Sequence, residues 1–300
     1  MKNSYRTDLE RFMRRIEFHD DAVTALLYIY DRIAENEESF ALLSGHIEQY
    51  RKTGALEFGM VINDAVLSAR AMKGPEYGCK MVFFLCTAMY SYPVYEAKGL
   101  TEKVWLDSME DFRFKLNECY KMYGEWGTFV NWFGRFYSAE LLAFNRLEFE
   151  LEQAPRDFKN EEFDIKAGQK VINVHIPSNE RIPFSKEECD KSYDLAADYF
   201  SRFFGEDEPI IFMCGSWLLF DGMKEFMPED SNILRFASEY TVAERYESIE
   251  DLWRIFYREN SESEPENLPE TTSMMRGYKA LLLEGGMPGT ALGYRKHVKK

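Results

Sequence analysis

The sequence has no two cysteines in a C-x-x-C arrangement, and its five cysteines are an odd number. A disulfide framework or a structural zinc site needs paired cysteines, so neither is expected. Unpaired thiols are typical of a reducing cytoplasm. His19 and His46 stand singly on polar stretches, without a second ligand four residues away, which indicates surface histidines and no metal site.

A long apolar run is also missing. The longest, Met81 to Tyr92, is shorter than the roughly 20 residues that a membrane-spanning helix needs. The N-terminus has no succession of basic, apolar and small residues of the kind found in signal peptides. We therefore expect a soluble, cytoplasmic protein without a membrane span.

Positive charge is scarce, because 37 Lys and Arg residues stand against 52 Asp and Glu residues, for a net charge of -15. An acidic surface repels a phosphate backbone, so nucleic acid is not expected as a partner. The one basic cluster is the tail from Arg295 to Lys300. An anionic cofactor would therefore need a local pocket of positive charges or backbone amides.

Aromatic residues, in contrast, are abundant at 16%, with 24 Phe and 18 Tyr, and hydrophobic residues make up 45% of the chain. This composition supplies sizeable cores and excludes disorder throughout. A length of 300 residues suits two domains of ordinary size better than one.

The first half of the chain has helical periodicity. Thr7 to Glu10 forms a capping box, and apolar residues then recur at intervals of three and four. We predict helices in the stretches 9–16, 23–33, 40–50, 56–65, 81–88 and 101–123, with Pro93 ending the fifth. Residues 1–138 are therefore predicted to form an all-α domain.

Trp126 to Tyr137 is dense in aromatic side chains. One interpretation is a helix packed between two domains, because aromatic stripes belong more often to a core than to a ligand site. The alternative is the wall of an apolar channel.

The periodicity changes to two in Arg146 to Glu152, where Leu147, Phe149 and Leu151 alternate with charged residues. This pattern predicts a half-exposed strand, so we place the domain boundary near residue 139 and the second domain at 139–300. Val171 to Ile176 is predicted to be another strand, with Asn173 and His175 on the face opposite its apolar residues.

A capping box at Ser185 to Glu188 begins a predicted helix that reaches Phe204, with Gly205 as its C-cap. Ile210 to Phe220 follows as a buried strand. The strand–helix–strand order predicts a right-handed crossover and parallel pairing. The remaining elements are predicted as strands at 232–236 and 251–257, a helix at 274–283 and a final edge strand at 290–294. The fold class is therefore α+β, with a mixed sheet in the second domain.

Polar residues stand where the strand in Ile210 to Phe220 ends, as Cys214, Gly215 and Ser216. Polar groups at the end of a buried strand are where α/β folds usually place their function. This stretch is therefore the first candidate site.

Several segments of the chain, taken together and in order, resemble a known family. They are Arg146 to Leu151, Val174 to Pro177, Cys189 to Phe204, Cys214 to Leu219, Ser231 to Ile233 with Phe236, Leu268-Pro269 with Thr272-Ser273, and Gly285-Gly286. They resemble the GNAT-like C-terminal domain of bacterial acyltransferase domain-containing proteins, whose helical N-terminal domain the first half resembles. One departure is Gly215, where the family commonly has a histidine, so no role of that histidine carries over.

The resemblance implies transfer of an acyl group from acyl-CoA or acetyl-CoA to a small-molecule acceptor, an amine or a similar group. GNAT-like folds bind acyl-CoA through a Gln/Arg-x-x-Gly-x-Gly loop that opens a helix, and this loop is absent here. The closest substitute is Pro269 to Ser273, whose possible phosphate donors are Thr271, Thr272, Ser273 and Arg276. The alternative is plain helix capping, and the carboxylate of Glu270 would repel a phosphate.

Acyl transfer to an amine needs a base, and His175 is the candidate, although a histidine hydrogen-bonded within the sheet is the alternative. Cys214 would be an acyl-carrying nucleophile if His175 lay beside it on one sheet face, or else a small buried side chain. Ser216 and Tyr294 are candidate proton donors for the leaving thiolate, and Ser216 also suits a turn or helix cap.

Three functions follow from these residues. The first is a GNAT-like acyltransferase. The second is a catalytically inactive GNAT-like binding or interaction module, favoured by the missing glycine-rich loop and by Gly215. The third, a Cys–His hydrolase or transferase, depends on Cys214 and His175 alone.

Overall fold

The computed structural model describes residues 1–206 and 208–297. It divides into two compact units, Met1–Ala143 and Phe144–Lys300. The division falls inside the first strand, shortly after the predicted boundary near residue 139.

The first unit is helical, as predicted. Its helices are α1 (Lys2–Arg15), α2 (Asp20–Glu35), α3 (Glu37–Thr53), α4 (Phe58–Met72), α5 (Glu76–Ala88), α6 (Tyr92–Ala97), α7 (Glu102–Met109), α8 (Asp111–Tyr123) and α9 (Gly134–Tyr137). Helix α5 forms the centre, because every residue from Gly78 to Ala88 is buried. An apolar sequence on all sides is typical of a helix surrounded by others.

Five sequence predictions in this unit are wrong in detail. Thr7 to Glu10 is not a capping box, because α1 already begins at Lys2 and Thr7 Oγ1 donates to Asn3 O at 3.0 Å inside it. The helix predicted at 101–123 is broken at Glu110, which ends α7 and precedes α8. Pro93 lies in the first turn of α6, where a missing N–H costs nothing, and α5 already ends at Ala88. The aromatic stretch after Trp126 is mostly irregular before α9. His46 is buried, and its Nε2 lies 2.7 Å from Asp64 Oδ2, because helix α4 brings that carboxylate to it.

Gly127 makes the closest backbone approach in this irregular stretch. A Cβ at this position would lie 2.3 Å from the carbonyl carbon of Tyr77, and the neighbouring Thr128 N–H donates to Tyr77 O at 3.1 Å. Only a residue without a side chain fits against that backbone. The stretch therefore depends on glycine to pack on the start of α5.

We predict that Gly127→Ala destabilises the protein by about 1–3 kcal/mol or more, because neither backbone segment can move without breaking this contact. Gly45, in the middle of α3, is the matched control, since its Cβ would meet nothing within 4 Å. Gly45→Ala is expected to add about 0.5–1 kcal/mol of stability. Urea unfolding measures both, and equal effects of the two substitutions would contradict the packing described.

The second unit holds a mixed sheet, which confirms the α+β prediction. The strands are β1 (Leu142–Phe144), β2 (Leu147–Gln153), β3 (Phe158–Lys159), β4 (Asp164–Ile165), β5 (Lys170–His175), β6 (Ile211–Ser216), β7 (Thr241–Glu247) and β8 (Gly289–Lys296). The six-stranded sheet has the order β1-β2-β5-β6-β8-β7, and β3 and β4 form a separate hairpin. Strands β5 and β6 are parallel, as predicted.

Four helices belong to this unit: α10 (Lys186–Phe200), α11 (Asn232–Ser238), α12 (Leu252–Phe256) and α13 (Ser273–Leu283). Helix α10 packs on one face of the sheet, where the ring of Tyr193 lies 5.9 Å from that of Phe149 and 4.8 Å from that of Phe212. The opposite face carries an apolar cluster that includes Val171, Met213 and Tyr294. Polar side chains of β5 continue that face beyond the cluster.

Some predictions in this unit are also wrong. The stretches 232–236 and 251–257 are not strands but contain the short helices α11 and α12, and Ser231 Oγ caps α11 by accepting from Ile233 N at 3.2 Å. Strand β8 lies inside the sheet, between β6 and β7, so the edge strand at this end of the sheet is β7, which was not predicted. Helix α10 ends at Phe200 and a 3₁₀ turn follows, so Gly205 is not its C-cap.

Candidate active site

The parallel ladder between β5 and β6 is short. Its register joins only Ile172 to Phe212 and Asn173 to Met213, although β5 runs on to His175 and β6 to Ser216. On their other sides, β6 pairs with β8 and β5 pairs with β2 along their whole lengths, so only the ladder between β5 and β6 stops early. The carboxyl ends of the two parallel strands therefore separate, and we call this opening the β5–β6 gap.

His175 stands at the last position of β5, on the edge of the β5–β6 gap. Its Nε2 lies 2.7 Å from Oε1 of Glu150, which also accepts a hydrogen bond from Asn173 Nδ2 at 3.2 Å. The carboxylate side chain is 4% exposed, whereas the imidazole is 41% exposed. A buried carboxylate thus holds Nε2, while the imidazole as a whole is partly exposed to solvent.

This arrangement suits proton transfer. When Nε2 carries its proton and donates to Glu150, Nδ1 has a free lone pair and accepts a proton from a substrate. The carboxylate then stabilises the imidazolium that forms. His175 therefore has the partner that a general base requires.

Glu150 and its neighbour Glu148 are functional candidates that the sequence did not single out. In the antiparallel register, Glu148 stands opposite His175 and Glu150 opposite Asn173. Both glutamates are buried, at 4% and 3% exposure, although the alternation in β2 predicted an exposed face. The sequence signal for these two residues was the row of glutamates on β2. This signal points to a site beside His175 only once the pairing of β2 with β5 is known.

Cys214 is not part of this cluster. Because Ile172 pairs with Phe212, residues of even number in both strands point to the α10 face, and His175 points to the other. The two residues therefore lie on opposite faces of the sheet. The hypothesis of a Cys–His pair is wrong, since the strands are adjacent but the side chains face apart. Burial raises the pKa of the Cys214 thiol to about 12, which keeps it protonated.

Ser216 and Tyr294 have different surroundings. Ser216 Oγ accepts a hydrogen bond from Leu218 N at 3.1 Å and caps a 3₁₀ turn, which is the structural role weighed above. Tyr294 lies on the His175 face, opposite Met213, with its ring stacked on Phe158 at 5.5 Å. Its hydroxyl is buried without a hydrogen-bond partner among the described residues, and burial raises its pKa.

The predicted phosphate donors surround the N-terminus of α13, where each makes a local contact. Thr272 Oγ1 caps the helix by accepting from Met275 N at 3.1 Å, and Thr271 Oγ1 donates to Met275 Sδ at 3.0 Å. Arg276 Nη1 donates to Glu270 O at 3.0 Å, and Ser273 Oγ lies 4.0 Å from Met227 Sδ. These are contacts of helix capping, so a role in binding phosphate stays a prediction.

We searched the described part of the chain for a metal site and for a membrane-spanning helix. No three His, Cys, Asp or Glu side chains are grouped there as metal ligands would be. None of the described helices is both long enough and apolar enough to cross a bilayer.

Two protein families match this chain. Residues 141–295 match the GNAT-like C-terminal domain, and residues 7–139 match the N-acyltransferase N-terminal domain. The chain belongs to the family defined by these domains. The resemblance expected from the sequence is confirmed, and the mixed sheet with its β5–β6 gap is the GNAT-like domain. A comparison with curated proteins finds no match.

Solved structures with a similar fold include acyltransferases. One, an acyltransferase in complex with decanoyl-CoA and teicoplanin, has 18% sequence identity and a TM-score of 0.69, with 95% of this chain and 86% of that chain covered. A second, in complex with decanoyl-CoA, has 17% identity and a TM-score of 0.63, with 97% and 99% covered. The protein therefore has an acyltransferase fold over both units.

The cysteines give a direct test of the site geometry. All five are buried, and burial raises the pKa of each thiol, to about 11 for Cys189 and to about 12 for Cys79, Cys119 and Cys214. We predict that the native protein hardly reacts with a thiol reagent such as DTNB at pH 8, and that unfolding exposes five reactive thiols. A single fast-reacting thiol in the native protein that Cys214→Ala removes would contradict this account.

Proposed function

We propose that the protein is an acyl-CoA-dependent N-acyltransferase that moves an acyl group from CoA to an amine or similar group of a small molecule. The observation that carries this proposal is the His175–Glu150 pair beside the β5–β6 gap. The family membership supports it, as do the acyl-CoA complexes of the structural neighbours.

Acyl-CoA is the proposed co-substrate, with the acyl thioester in the β5–β6 gap. Ligands of open α/β sheets bind outside the carboxyl ends of the parallel strands, which is where His175 and Ser216 stand. Strand edges without ladder partners leave backbone groups for an extended pantetheine chain. Helix N-termini favour phosphates, and the candidates are α10, which follows β5 directly, and α13 with Thr271, Thr272, Ser273 and Arg276.

His175 is the proposed base. It takes a proton from the acceptor nitrogen, whose lone pair then forms a bond to the thioester carbonyl carbon. The tetrahedral intermediate expels the CoA thiolate as the C–S bond breaks, and a proton donor returns a proton to the sulfur. Tyr294 is the proposed donor because burial keeps its hydroxyl protonated, and Ser216 at the end of β6 is the other. No enzyme nucleophile is needed.

A non-catalytic binding module is the second candidate. Two features favour it: the chain has no Gln/Arg-x-x-Gly-x-Gly loop, and Gly215 replaces the histidine common in the family. In that case the protein would bind acyl-CoA without turnover.

The cellular setting follows from composition. We propose a cytoplasmic protein, because all five cysteines are unpaired. The net charge of -15 argues against nucleic acid as a partner.

We predict that His175→Gln lowers kcat by about 10²–10⁴-fold, because it removes the base. Glu150→Gln should lower kcat by about tenfold or more, because it removes the carboxylate that orients the base. The dissociation constant of decanoyl-CoA should stay within about threefold of the wild-type value. Release of free CoA in the presence of small amines measures turnover, and calorimetry measures binding.

His19→Gln is the matched control, since His19 lies in the helical unit and should leave both values unchanged. Wild-type binding without any turnover would support the binding module instead. No binding of acetyl-CoA, octanoyl-CoA or decanoyl-CoA by the wild type would contradict both candidates.

A further inference from the structure

The turn between β1 and β2 fixes the start of α10. Asn145, in the left-handed conformation with a φ of 63°, donates through Nδ2 to Glu188 O at 3.0 Å and to Glu188 Oε2 at 2.6 Å. The backbone N–H of Arg146 donates to Ser192 Oγ at 3.0 Å. Asn145 and Arg146, which are neighbours in one turn, thus form hydrogen bonds to the first and to the second turn of α10.

The side chain of Arg146 extends from this turn to the connection between β5 and α10, residues 177–185, which we call the 177–185 loop. Arg146 Nη1 donates to Pro177 O at 2.9 Å, and the guanidinium lies 4.9 Å from the centre of the Phe184 ring. One side chain therefore contacts the loop near its first and near its last residue. Pro177 follows His175 by two positions, just beyond the end of the β2–β5 ladder.

The burial of Arg146 is costly. The residue is 6% exposed, its Nε has no hydrogen-bond partner, and it forms no ion pair with a carboxylate among the described residues. Buried charges are normally paired, because desolvation disfavours the charged form. That desolvation lowers the pKa of Arg146. A neutral apolar side chain would fill this place at less cost if packing were the whole of its purpose.

A second arginine holds the loop from the other side and shows the contrast. Arg235 Nη2 donates to Phe184 O at 3.5 Å, while its Nη1 is paired with Glu239 Oε1 at 2.9 Å. Arg235 therefore has a carboxylate in direct contact, whereas Arg146 has only the longer-range attraction of the buried Glu148, which opposes the lowering of its pKa. Both arginines contact the loop at Phe184. At Pro177, the carbonyl oxygen accepts from Arg146 Nη1 at 2.9 Å and from the backbone N–H of Asn179, inside the loop, at 2.8 Å.

We infer that Arg146 is a positioning residue that holds the 177–185 loop in the conformation that acyl-CoA binds. The inference rests on the proposed function, since the loop joins the edge of the β5–β6 gap to the N-terminus of α10. The β2–β5 ladder fixes β5 as far as His175. Arg146 contacts the chain that follows, at Pro177 and at Phe184. Its loss removes the contact that ties Pro177 to the turn between β1 and β2. The hydrogen bonds within the loop, from the N–H groups of Arg181 and Ile182 to Asn179 Oδ1, remain, and the base stays in place.

The expected signature is a change in binding without a matching change in chemistry. In Arg146→Met, the KM and the dissociation constant for decanoyl-CoA should rise by about tenfold, because a hydrogen bond from a charged donor is lost, while kcat at saturation stays within about threefold. Hydrogen exchange of the amides in the 177–185 loop should become faster. Arg146→Lys should restore part of the affinity, since an ammonium still reaches Pro177 O but does not stack as a plane on Phe184.

Arg254→Met is the matched control, because Arg254 pairs with Asp251 at 2.8 Å in helix α12, away from the loop. It should leave the KM and the exchange of the loop unchanged. Lower thermal stability of Arg146→Met with unchanged affinity and unchanged loop exchange would overturn the inference and leave a purely structural arginine. If Arg146→Met does not fold, an Arg146→Lys variant with wild-type affinity and loop exchange would overturn it as well.

The two proposals fail in different ways. If the wild type binds no acyl-CoA, the proposed function fails. In that case only the hydrogen-exchange rates of the amides in the 177–185 loop decide whether Arg146 orders the loop. If the wild type binds and Arg146→Met binds equally well, the proposed function stands and the positioning role is wrong.

Discussion

The organisation of the second unit depends on where one parallel ladder stops. Strands β5 and β6 share only two residue pairs, although β5 pairs with β2 and β6 with β8 along their whole lengths. A sheet that stayed closed would satisfy these backbone groups internally and leave no opening. By separating, the strands place His175 and Ser216 at the two sides of a gap and expose strand edges to a ligand.

The polar groups beside the gap are unequal in burial, and the proposed roles depend on this inequality. Glu150 is buried and holds the imidazole of His175, which is itself partly exposed. Cys214, on the opposite face, is fully buried, and burial raises the pKa of its thiol, so the thiol stays protonated. The geometry therefore favours direct transfer assisted by a base over a covalent acyl-enzyme.

Much of the fold could be predicted from the sequence, because strong local signals agreed with it. The capping box at Ser185 marks the start of α10, and the strand–helix–strand order gave the parallel pairing of β5 and β6. Short apolar stretches such as 232–236 were ambiguous, since five residues do not separate a period of two from one of 3.6. Strand β7 was missed because its alternation is polar and half-exposed, as suits an edge.

The candidate site was predictable only in part. His175 was found from its place on a strand, but Glu150 required the antiparallel register, which is a non-local property. The same limit explains the error over Cys214, because a shift of one residue in register exchanges the two faces of a strand.

The central claim is that acyl-CoA binds in the β5–β6 gap. A substitution at Gly215 tests this claim most directly. Gly215 lies in the part of β6 beyond the ladder with β5, and among the described residues a Cβ there would meet only Leu292 Cδ1, at 3.9 Å. We predict that Gly215→Trp weakens decanoyl-CoA binding by about 100-fold or more because the indole fills the gap, which corresponds to about 2.7 kcal/mol. Gly215→Ala should bind within about threefold of the wild type. Equal binding by the wild type and the tryptophan variant, both folded, would contradict the account.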